Sequence, residues 1–318
     1  MKIIGTGSYL PDKIVSNDDL AKVVDTNDEW IFERTGIRER RLTTGMENSE
    51  LAIEAAKRAL IDSGINTKEI DLIIVATATS DYVTPSIACI VQGALEIPNA
   101  IAFDVNAACS GFVFALHTAY CYMLAGGIKN ALIIGSETLS KITDYEDRGT
   151  CILFGDAAGA VVVKADKDSL YHCEIGTDGE KAQVIHCKQL PLTNMLVKRK
   201  VKQDYLHMDG HEVYKFVLRV IPKLIKNTVE EVDLKIEDIS FFILHQANLR
   251  INEAVAKKLG QSMEKFPHNL HKTGNTSAAS VPVLLDELNK QGKLKEGEKI
   301  VLCSFGGGLS WASAILEW

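Results

Sequence analysis

The feature that most constrains this chain is a block pattern that recurs at one fixed offset. INTKEIDLIIVA at 65–76 and LKIEDISFFILH at 234–245 share an order of polar, turn and apolar residues, and aligning Ile70 with Ile239 sets the offset at 169. With that offset, Ala131–Ile134 (ALII) falls on Ile300–Cys303 (IVLC), Asn106 on Asn275, and Cys109 on Ala278 at the start of another helix. A period this long is not a solenoid repeat. It implies a duplicated α/β unit, each copy a mixed sheet covered by helices, stacked as an α-β-α-β-α core. The halves divide at 1–165 and 166–318.

Within each half the periodicity alternates between helix and strand. Ser49–Ser63 reads as a helix with Ser49 as N-cap and Gly64 as its stop. Asp71–Ala78 (DLIIVATA) reads as a strand buried on both faces. Pro85 opens a helix to about Glu96. Ile101–Val105 is a strand, Ser110–Ala125 an apolar helix ended by Gly126 and Gly127, and Ala131–Gly135 a strand. GDAAGA at 155–160 turns into a strand rather than a helix, so it is not a dinucleotide fingerprint. A helix from about His211 to Thr228 contains Pro222, which should kink it. The stretch 180–206, with KRKVK at 198–202, reads as a surface loop, and a nuclear-localisation role for that run is not adopted.

Composition excludes several function classes. Lys plus Arg is 35 and Asp plus Glu is 42 in 318 residues, a net charge of −7 that makes general nucleic-acid binding a poor fit. No apolar stretch is expected to reach the roughly 18 residues that a membrane helix needs. MKIIGTGSYLPD is not a secretory leader, so the expected location is cytoplasmic. The seven cysteines include no C-x-x-C pair, which argues against a zinc site, and a disulfide framework does not suit a chain with a full core. Cys121 and Cys151 are expected to be buried structural thiols.

In open α/β sheets chemistry gathers beyond the carboxyl ends of the strands. Cys109, in NAACSG, lies there between small residues at a predicted helix start, where free N–H groups and the helix dipole lower a thiol pKa toward neutrality. A cysteine without such context is more often buried and structural. His245 (HQANLR) and Asn275 (GNTSAAS) lie at equivalent places; alone, the first reads as a structural histidine and the second as a turn or cap residue. Together with Cys109 they form a Cys-His-Asn set. FGGG at 305–308 permits a positive-φ turn or an oxyanion-binding backbone; with no Lys-Ser/Thr after it, it is not a phosphate loop.

These residues closely resemble the bacterial β-ketoacyl-acyl-carrier-protein synthase III family over nearly the whole chain. The carriers are GTGSYLPD at 5–12, DEWIFERTGIRERR at 28–41, AACSGF at 107–112, DRGT at 147–150, FGDAAGA at 154–160, HQANLR at 245–250, GNTSAAS at 274–280 and FGGG at 305–308. The resemblance implies a thiolase-like fold and a priming condensation of a short acyl-CoA with malonyl-acyl-carrier protein. It implies Cys109, His245 and Asn275 as catalytic residues, and the amides of Cys109 and Gly307 as an oxyanion hole. Trp30, Arg148, Arg34, Thr26 and Asn248 would bind CoA. Gln246, Ala247, Asn248, Leu249, Arg250, Lys215, Lys257 and Lys258 would meet the carrier protein. Lys215, Arg219, Lys223 and Lys226 share one helical face, which suits an acidic partner.

The resemblance further implies a homodimer, with Thr84 reaching the partner's acyl pocket beside Phe305. It implies no metal and no cofactor, acyl-CoA being a substrate. Thr84 is smaller than the aromatic residue of some relatives, so the pocket should not be limited to acetyl. His211 stands where relatives often carry Asn, and its role stays open. A thiolase would need a Cys in place of Phe305, and an elongating condensing enzyme a His in place of Asn275. Another acyltransferase of the thiolase superfamily, or a non-catalytic CoA- or carrier-binding protein, is the rival reading.

Overall fold

The computed structural model describes residues 1–318. Its first sheet contains β1 (Lys2–Tyr9), β2 (Leu72–Ala76), β3 (Ile101–Val105), β4 (Asn130–Thr138) and β5 (Asp156–Lys164), in the order β1-β5-β4-β2-β3. The second contains β6 (Tyr171–Thr177), β7 (Phe241–Leu244), β8 (Lys299–Gly306) and β9 (Ser310–Glu317), in the order β7-β8-β9-β6. Strand pairing is parallel for β2 with β3 and β4, and for β7 with β8; the remaining pairs in both sheets are antiparallel.

The offset of 169 holds at the level of element starts. It carries Lys2 of β1 onto Tyr171 of β6, and Asn130 of β4 onto Lys299 of β8. It also carries the short 3-10 turn Thr67–Glu69 onto Ile236–Asp238, and Ala108–Ser110 onto Ser277–Ala279. The second sheet lacks a counterpart of β3: positions 270–273, where it would lie, form a single helical turn, Leu270–Thr273. Outside the two sheets, Lys13–Ser16 pairs with Glu39–Leu42, and Ile185–His186 with His207–Met208.

Seven helices of eight or more residues cover the sheets. They are α1 (Asp28–Thr35), α2 (Asn48–Ser63), α3 (Ile87–Ala94), α4 (Gly111–Ala125), α5 (Gly210–Glu230), α6 (Leu249–Leu259) and α7 (Ser280–Lys290). Period-2 alternation sorts each buried strand between two layers. Leu72, Ile74, Ala131, Ile133, Ile300 and Leu302 face the central helices α4 and α7. Ile73, Val75, Leu132 and Ile134 face α2 and α3 on one outside. Val301, Cys303 and Phe305 face α5 and α6 on the other. The result is the α-β-α-β-α stack of a thiolase fold.

Several local expectations change. The N-cap of α2 is Glu47, not Ser49, because the Glu47 amide is met by the Glu50 carboxylate at 2.7 Å; Gly64 ends the helix at φ 65° as expected. α3 opens after Ser86, whose hydroxyl accepts from the Cys89 amide, so Pro85 precedes the cap and the helix stops at Ala94. β4 runs on to Thr138 with Ser136, Glu137 and Thr138 all buried.

α5 continues through Pro222, and the Leu218 carbonyl that Pro222 cannot bond accepts from Lys258 Nζ at 2.9 Å. Cys151 is buried, but Cys121 is exposed, since it falls on the outer turn of α4. Residues 108–125 do reach the length and apolar character of a membrane span, contrary to the sequence reading. Here Phe112, Val113, Ala115, Leu116 and Ala119 of that stretch pack between the two sheets.

Candidate active site

The two 3-10 turns create the site. In each, an Asn side chain accepts from the amide two residues later: Asn106 Oδ1 from Ala108 at 3.2 Å and Asn275 Oδ1 from Ser277 at 2.9 Å. Each turn then passes through a left-handed residue, Ala108 at φ 46° and Ser277 at φ 48°. Each is backed by the opposite half. Gly135 of β4 presses on the Ala278 carbonyl, and a Cβ on Gly306 of β8 would stand 2.8 Å from Cys109 Cβ. Glycine is required at both places because backbone lies against backbone.

Cys109 lies in the first turn, one residue before the Ser110 cap of α4. The residue is partly accessible, but its sulfur is enclosed, and burial pushes the thiol up to about 12. The nearby Ser277 side chain acts in the other direction, and the Glu137 carboxylate raises the pKa further. The expected depression by the helix N-terminus is thus outweighed in the free protein by desolvation. Ser310 Oγ braces the turn, lying 3.2 Å from the Ala107 carbonyl and 2.9 Å from the Gly307 carbonyl, with its single hydrogen shared between them. A Cβ at Gly307 would lie 3.5 Å from that of Ala108, so the glycine loop adjoins the Cys109 turn.

His245 follows β7, its amide bonded to the Cys303 carbonyl at 2.8 Å. Its ring sits edge-on to Phe305 with centroids 5.2 Å apart, and Nδ1 meets Ser280 Oγ at 2.7 Å. Burial holds it down to about 3, so the imidazole is neutral at physiological pH. Asn275 is stitched to the first half: its amide donates to the Leu153 carbonyl at 2.8 Å and its carbonyl accepts from Gly155 at 3.0 Å. With Oδ1 held by the Ser277 amide, its Nδ2 hydrogens remain to donate. Neither His245 Nε2 nor Asn275 Nδ2 has a partner within the chain, and neither is a sealed, orphaned atom. A neutral imidazole and a carboxamide with free N–H groups therefore accompany one thiol.

Four supporting residues were not picked out from sequence. Glu137 is fully buried; its carboxylate accepts from Thr79 Oγ1 at 2.5 Å, from the Ala78 amide and Thr77 Oγ1, and from Ser277 Oγ at 3.1 Å. Burial nevertheless pushes it up to about 7. Its one sequence signal is the repeat itself, which places it opposite Gly306. Ser277 and Ser280 lie inside GNTSAAS without having been singled out. Arg40, also buried, donates to Asn17 Oδ1 and the Ile152 carbonyl at 2.8 and 2.7 Å, and its Cβ stands against Gly155 and Gly274 under the Asn275 loop. Nothing in its local sequence sets it apart from Arg38 or Arg41.

The remaining expected site residues fall in two groups. Trp30 carries two guanidinium groups, Arg34 at 4.3 Å and Arg148 at 4.7 Å from its ring centroid. A purine between Trp30 and Arg148 needs about twice a stacking distance, so Arg148 must swing outward to admit one. Thr26 lies near the start of α1, its hydroxyl buried without a partner. Asn248 caps α6 by accepting from the Arg250 amide at 2.9 Å and donates to the Arg34 carbonyl at 2.9 Å, so both its polar atoms are engaged.

Along the expected docking face, Lys215, Arg219, Lys223, Lys226, Arg250, Lys257 and Lys258 are exposed. Lys215 is paired with Glu212 at 2.9 Å. Gln246 is a correction: it is fully buried and bonded to the Leu244 carbonyl and the Asn269 amide, so its side chain presents nothing to a partner. Ala247 and Leu249 are half-buried. Phe305 is buried against His245, whereas Thr84 is exposed on the outer surface of this chain. His211 is exposed in the first turn of α5, its amide bonded to the Asp209 cap.

Comparison with known proteins agrees with this architecture. The family model described as 3-oxoacyl-[acyl-carrier-protein] synthase III matches residues 103–179, and that of its C-terminal part matches residues 229–318. The chain is 50% identical to the β-ketoacyl-[acyl-carrier-protein] synthase III of Clostridium acetobutylicum, over 100% of this chain and 98% of that one. For the Clostridium novyi protein of the same name the identity is 48%, over 100% and 99%. The solved 3-oxoacyl-[acyl-carrier-protein] synthase III of Aquifex aeolicus superposes with a TM-score of 0.93 at 42% identity, covering 100% of this chain and 99% of that one. The Thermus thermophilus synthase III gives 0.94 at 37% over the same shares. With both halves of the fold and the full length matched, the chain belongs to the 3-oxoacyl-[acyl-carrier-protein] synthase III family.

Proposed function

We propose that the protein catalyses the priming step of fatty-acid synthesis, condensing a short acyl-CoA with malonyl-acyl-carrier protein to give 3-oxoacyl-carrier protein, CoA and carbon dioxide. The observation that supports this reading is the meeting of the Cys109 and Asn275 turns, one from each half, against the strand that carries Gly306 and Phe305, with a neutral His245 ring edge-on to Phe305. The halves, 1–165 and 166–318, would supply the nucleophile and the two donors respectively.

In the first half-reaction the Cys109 sulfur attacks the acyl-CoA thioester, the C–S bond to CoA breaks, and the proton given up by the Cys109 thiol ends on the departing CoA sulfur, so CoA leaves as free thiol. The amides of Cys109 and Gly307 hold the tetrahedral oxyanion. In the second, the malonyl thioester oxygen sits between His245 Nε2–H and Asn275 Nδ2–H. As the carboxylate leaves as carbon dioxide, its bonding electrons pass to the enolate, which those donors stabilise. A carboxylate in either place would repel that charge. The enolate carbon then attacks the acyl-Cys109 carbonyl and expels the thiolate, which takes a proton from solvent. Apart from that proton, every group in this scheme belongs to the chain or to its two thioester substrates.

Trp30 and Arg148 are assigned to the adenine of CoA, with Arg34, Thr26 and Asn248 along its path. The carrier protein docks on Arg219, Lys223, Arg250 and Lys257, whose charges have no carboxylate partner within the chain. A second copy would cover β3, an open sheet edge with Ile101 half exposed and Tyr122 packed beside Phe103. In such a dimer the exposed Thr84 is assigned to the partner's acyl pocket, beside Phe305.

The direct test supplies acetyl-CoA and malonyl-carrier protein and follows the carrier by mass. Formation of 3-oxobutanoyl-carrier protein, dependent on Cys109, supports the assignment. Reversible CoA binding with no carrier product would instead make this a binding protein. Turnover of acetyl-CoA alone, with no four-carbon or branched primer accepted, would contradict the wider pocket inferred from Thr84.

A further inference from the structure

Ser280 is the first residue of α7 and is buried, and its hydroxyl makes two contacts. It lies 2.7 Å from His245 Nδ1 and 3.3 Å from the Gln246 amide nitrogen. The amide can only donate, so it uses one of the two acceptor positions on Ser280 Oγ. The hydroxyl hydrogen then has one available acceptor, His245 Nδ1, since no other acceptor in the chain lies within reach of that oxygen. Were Nδ1 to carry the hydrogen instead, the Ser280 proton would be buried without a partner, at a cost of about 1–3 kcal/mol.

We propose that Ser280 is a positioning residue that donates its hydroxyl hydrogen to His245 Nδ1, so that the imidazole carries its single proton on Nε2 and keeps it aimed into the site. The inference rests on the reading of His245 as a hydrogen-bond donor to the malonyl thioester, and deepens it. A neutral imidazole has one donor nitrogen and one acceptor nitrogen, and the bond made by one fixes the task of the other. Donation into Nδ1 also draws electron density from the ring, making Nε2–H a stronger donor when negative charge develops on the substrate oxygen. Phe305, edge-on at 5.2 Å, limits the tilt of the ring, and Ser280 fixes its rotation. Gln246 completes the arrangement from behind, its side chain anchored to Leu244 and Asn269.

The test combines nitrogen-15 NMR of histidine-labelled protein with separate measurement of the two half-reactions. His245→Asn assigns the His245 resonances. In the wild type the expected state is Nε2–H with Nδ1 as a hydrogen-bonded acceptor; in Ser280→Ala the Nδ1 resonance moves to that of an unbonded acceptor. Decarboxylation of malonyl-carrier protein should fall roughly ten- to a hundredfold in Ser280→Ala. Acylation of Cys109 by acetyl-CoA should stay within about twofold, and Ser280→Thr, which keeps the hydroxyl, should restore decarboxylation. A purely structural role would lower both half-reactions together.

A wild-type Nδ1–H signal, or a Ser280→Ala protein with an unmoved Nδ1 resonance and full decarboxylation, overturns the proposal. The wild-type spectrum decides the proton's position even if Ser280→Ala fails to fold. A different result, equal decarboxylation by wild type and His245→Ala, would defeat the reading of His245 itself while leaving the tautomer measured.

Discussion

Ala108 and Ser277, 169 residues apart, hold the same left-handed backbone at φ 46° and 48°. Such a conformation costs a non-glycine residue on the order of 1–3 kcal/mol. It recurs at equivalent points of the two turns that carry Cys109, just after Ala108, and Asn275, two residues before Ser277. The strain is held by the opposing half, through Gly306 behind Cys109 and Gly135 behind Ala278.

The contact at Gly306 gives the first prediction. Gly306→Ala introduces a Cβ within 3 Å of the Cys109 side chain and amide. Neither side is a flexible side-chain end, so the turn must shift. Urea unfolding should show a loss of about 1–3 kcal/mol, and Cys109 acylation should fall more than about tenfold. Wild-type acylation in this variant would mean that the turn tolerates displacement.

Two buried groups set opposite pH dependences. His245 is held down to about 3 against an ordinary 6.5, so between those values the unfolded chain binds the extra proton, and stability is lost as pH falls. Glu137 is held up at about 7 against 4.5, so between those values the folded chain binds the extra proton, and stability is lost as pH rises. Glu137→Gln removes only the second effect. Its stability relative to wild type should improve by roughly 1–3 kcal/mol between pH 4.5 and pH 7.5. A difference that does not vary with pH would show that Glu137 titrates normally.

The basic face separates structure from docking. Lys258 satisfies the carbonyl freed by Pro222, so Lys258→Ala should cost about 0.5–1.5 kcal/mol of stability. Arg219 and Lys223 make no ion pair, so Arg219→Glu with Lys223→Glu should leave stability within about 0.5 kcal/mol. The same pair should raise KM for the carrier protein, with an effect that shrinks in salt. An unchanged carrier KM at low salt would move the docking site elsewhere.

Trp30 supports both guanidinium groups, and its loss removes the aromatic face assigned to adenine. Trp30→Ala should raise KM for acyl-CoA about tenfold, with carrier KM unchanged. A parallel rise in both would indicate that Trp30 only props up α1.

Much of this was legible in the chain because duplication leaves its mark on strand patterns. The alignment of Ile70 with Ile239 found β2 and β7, and carried β4 onto β8 and Asn106 onto Asn275. The missing counterpart of β3 was not legible, because the offset preserves position but not pairing. The acidity of Cys109 was misjudged for a related reason: the helix start is a local property, whereas burial comes from Gly306 and Ser277, some 170–200 residues away. Glu137 lies beyond the strand read at Ala131–Gly135; its burial depends on Ser277 arriving from the other half. Gln246 sat in a motif credited to docking, and only the packing of β7 against α7 shows it facing inward.

The central claim, that Cys109 is acylated and that His245 and Asn275 serve the second half-reaction, is tested most directly by intact-protein mass. Wild type, Cys109→Ala, His245→Ala and Asn275→Ala are each incubated with acetyl-CoA and then with malonyl-carrier protein. The account predicts an adduct of about 42 Da, one acetyl group, on every protein except Cys109→Ala. It predicts rapid discharge by malonyl-carrier protein in wild type and a discharge slowed by at least about a hundredfold in the His245 and Asn275 variants. An adduct on Cys109→Ala, or undiminished discharge without His245 and Asn275, would contradict it.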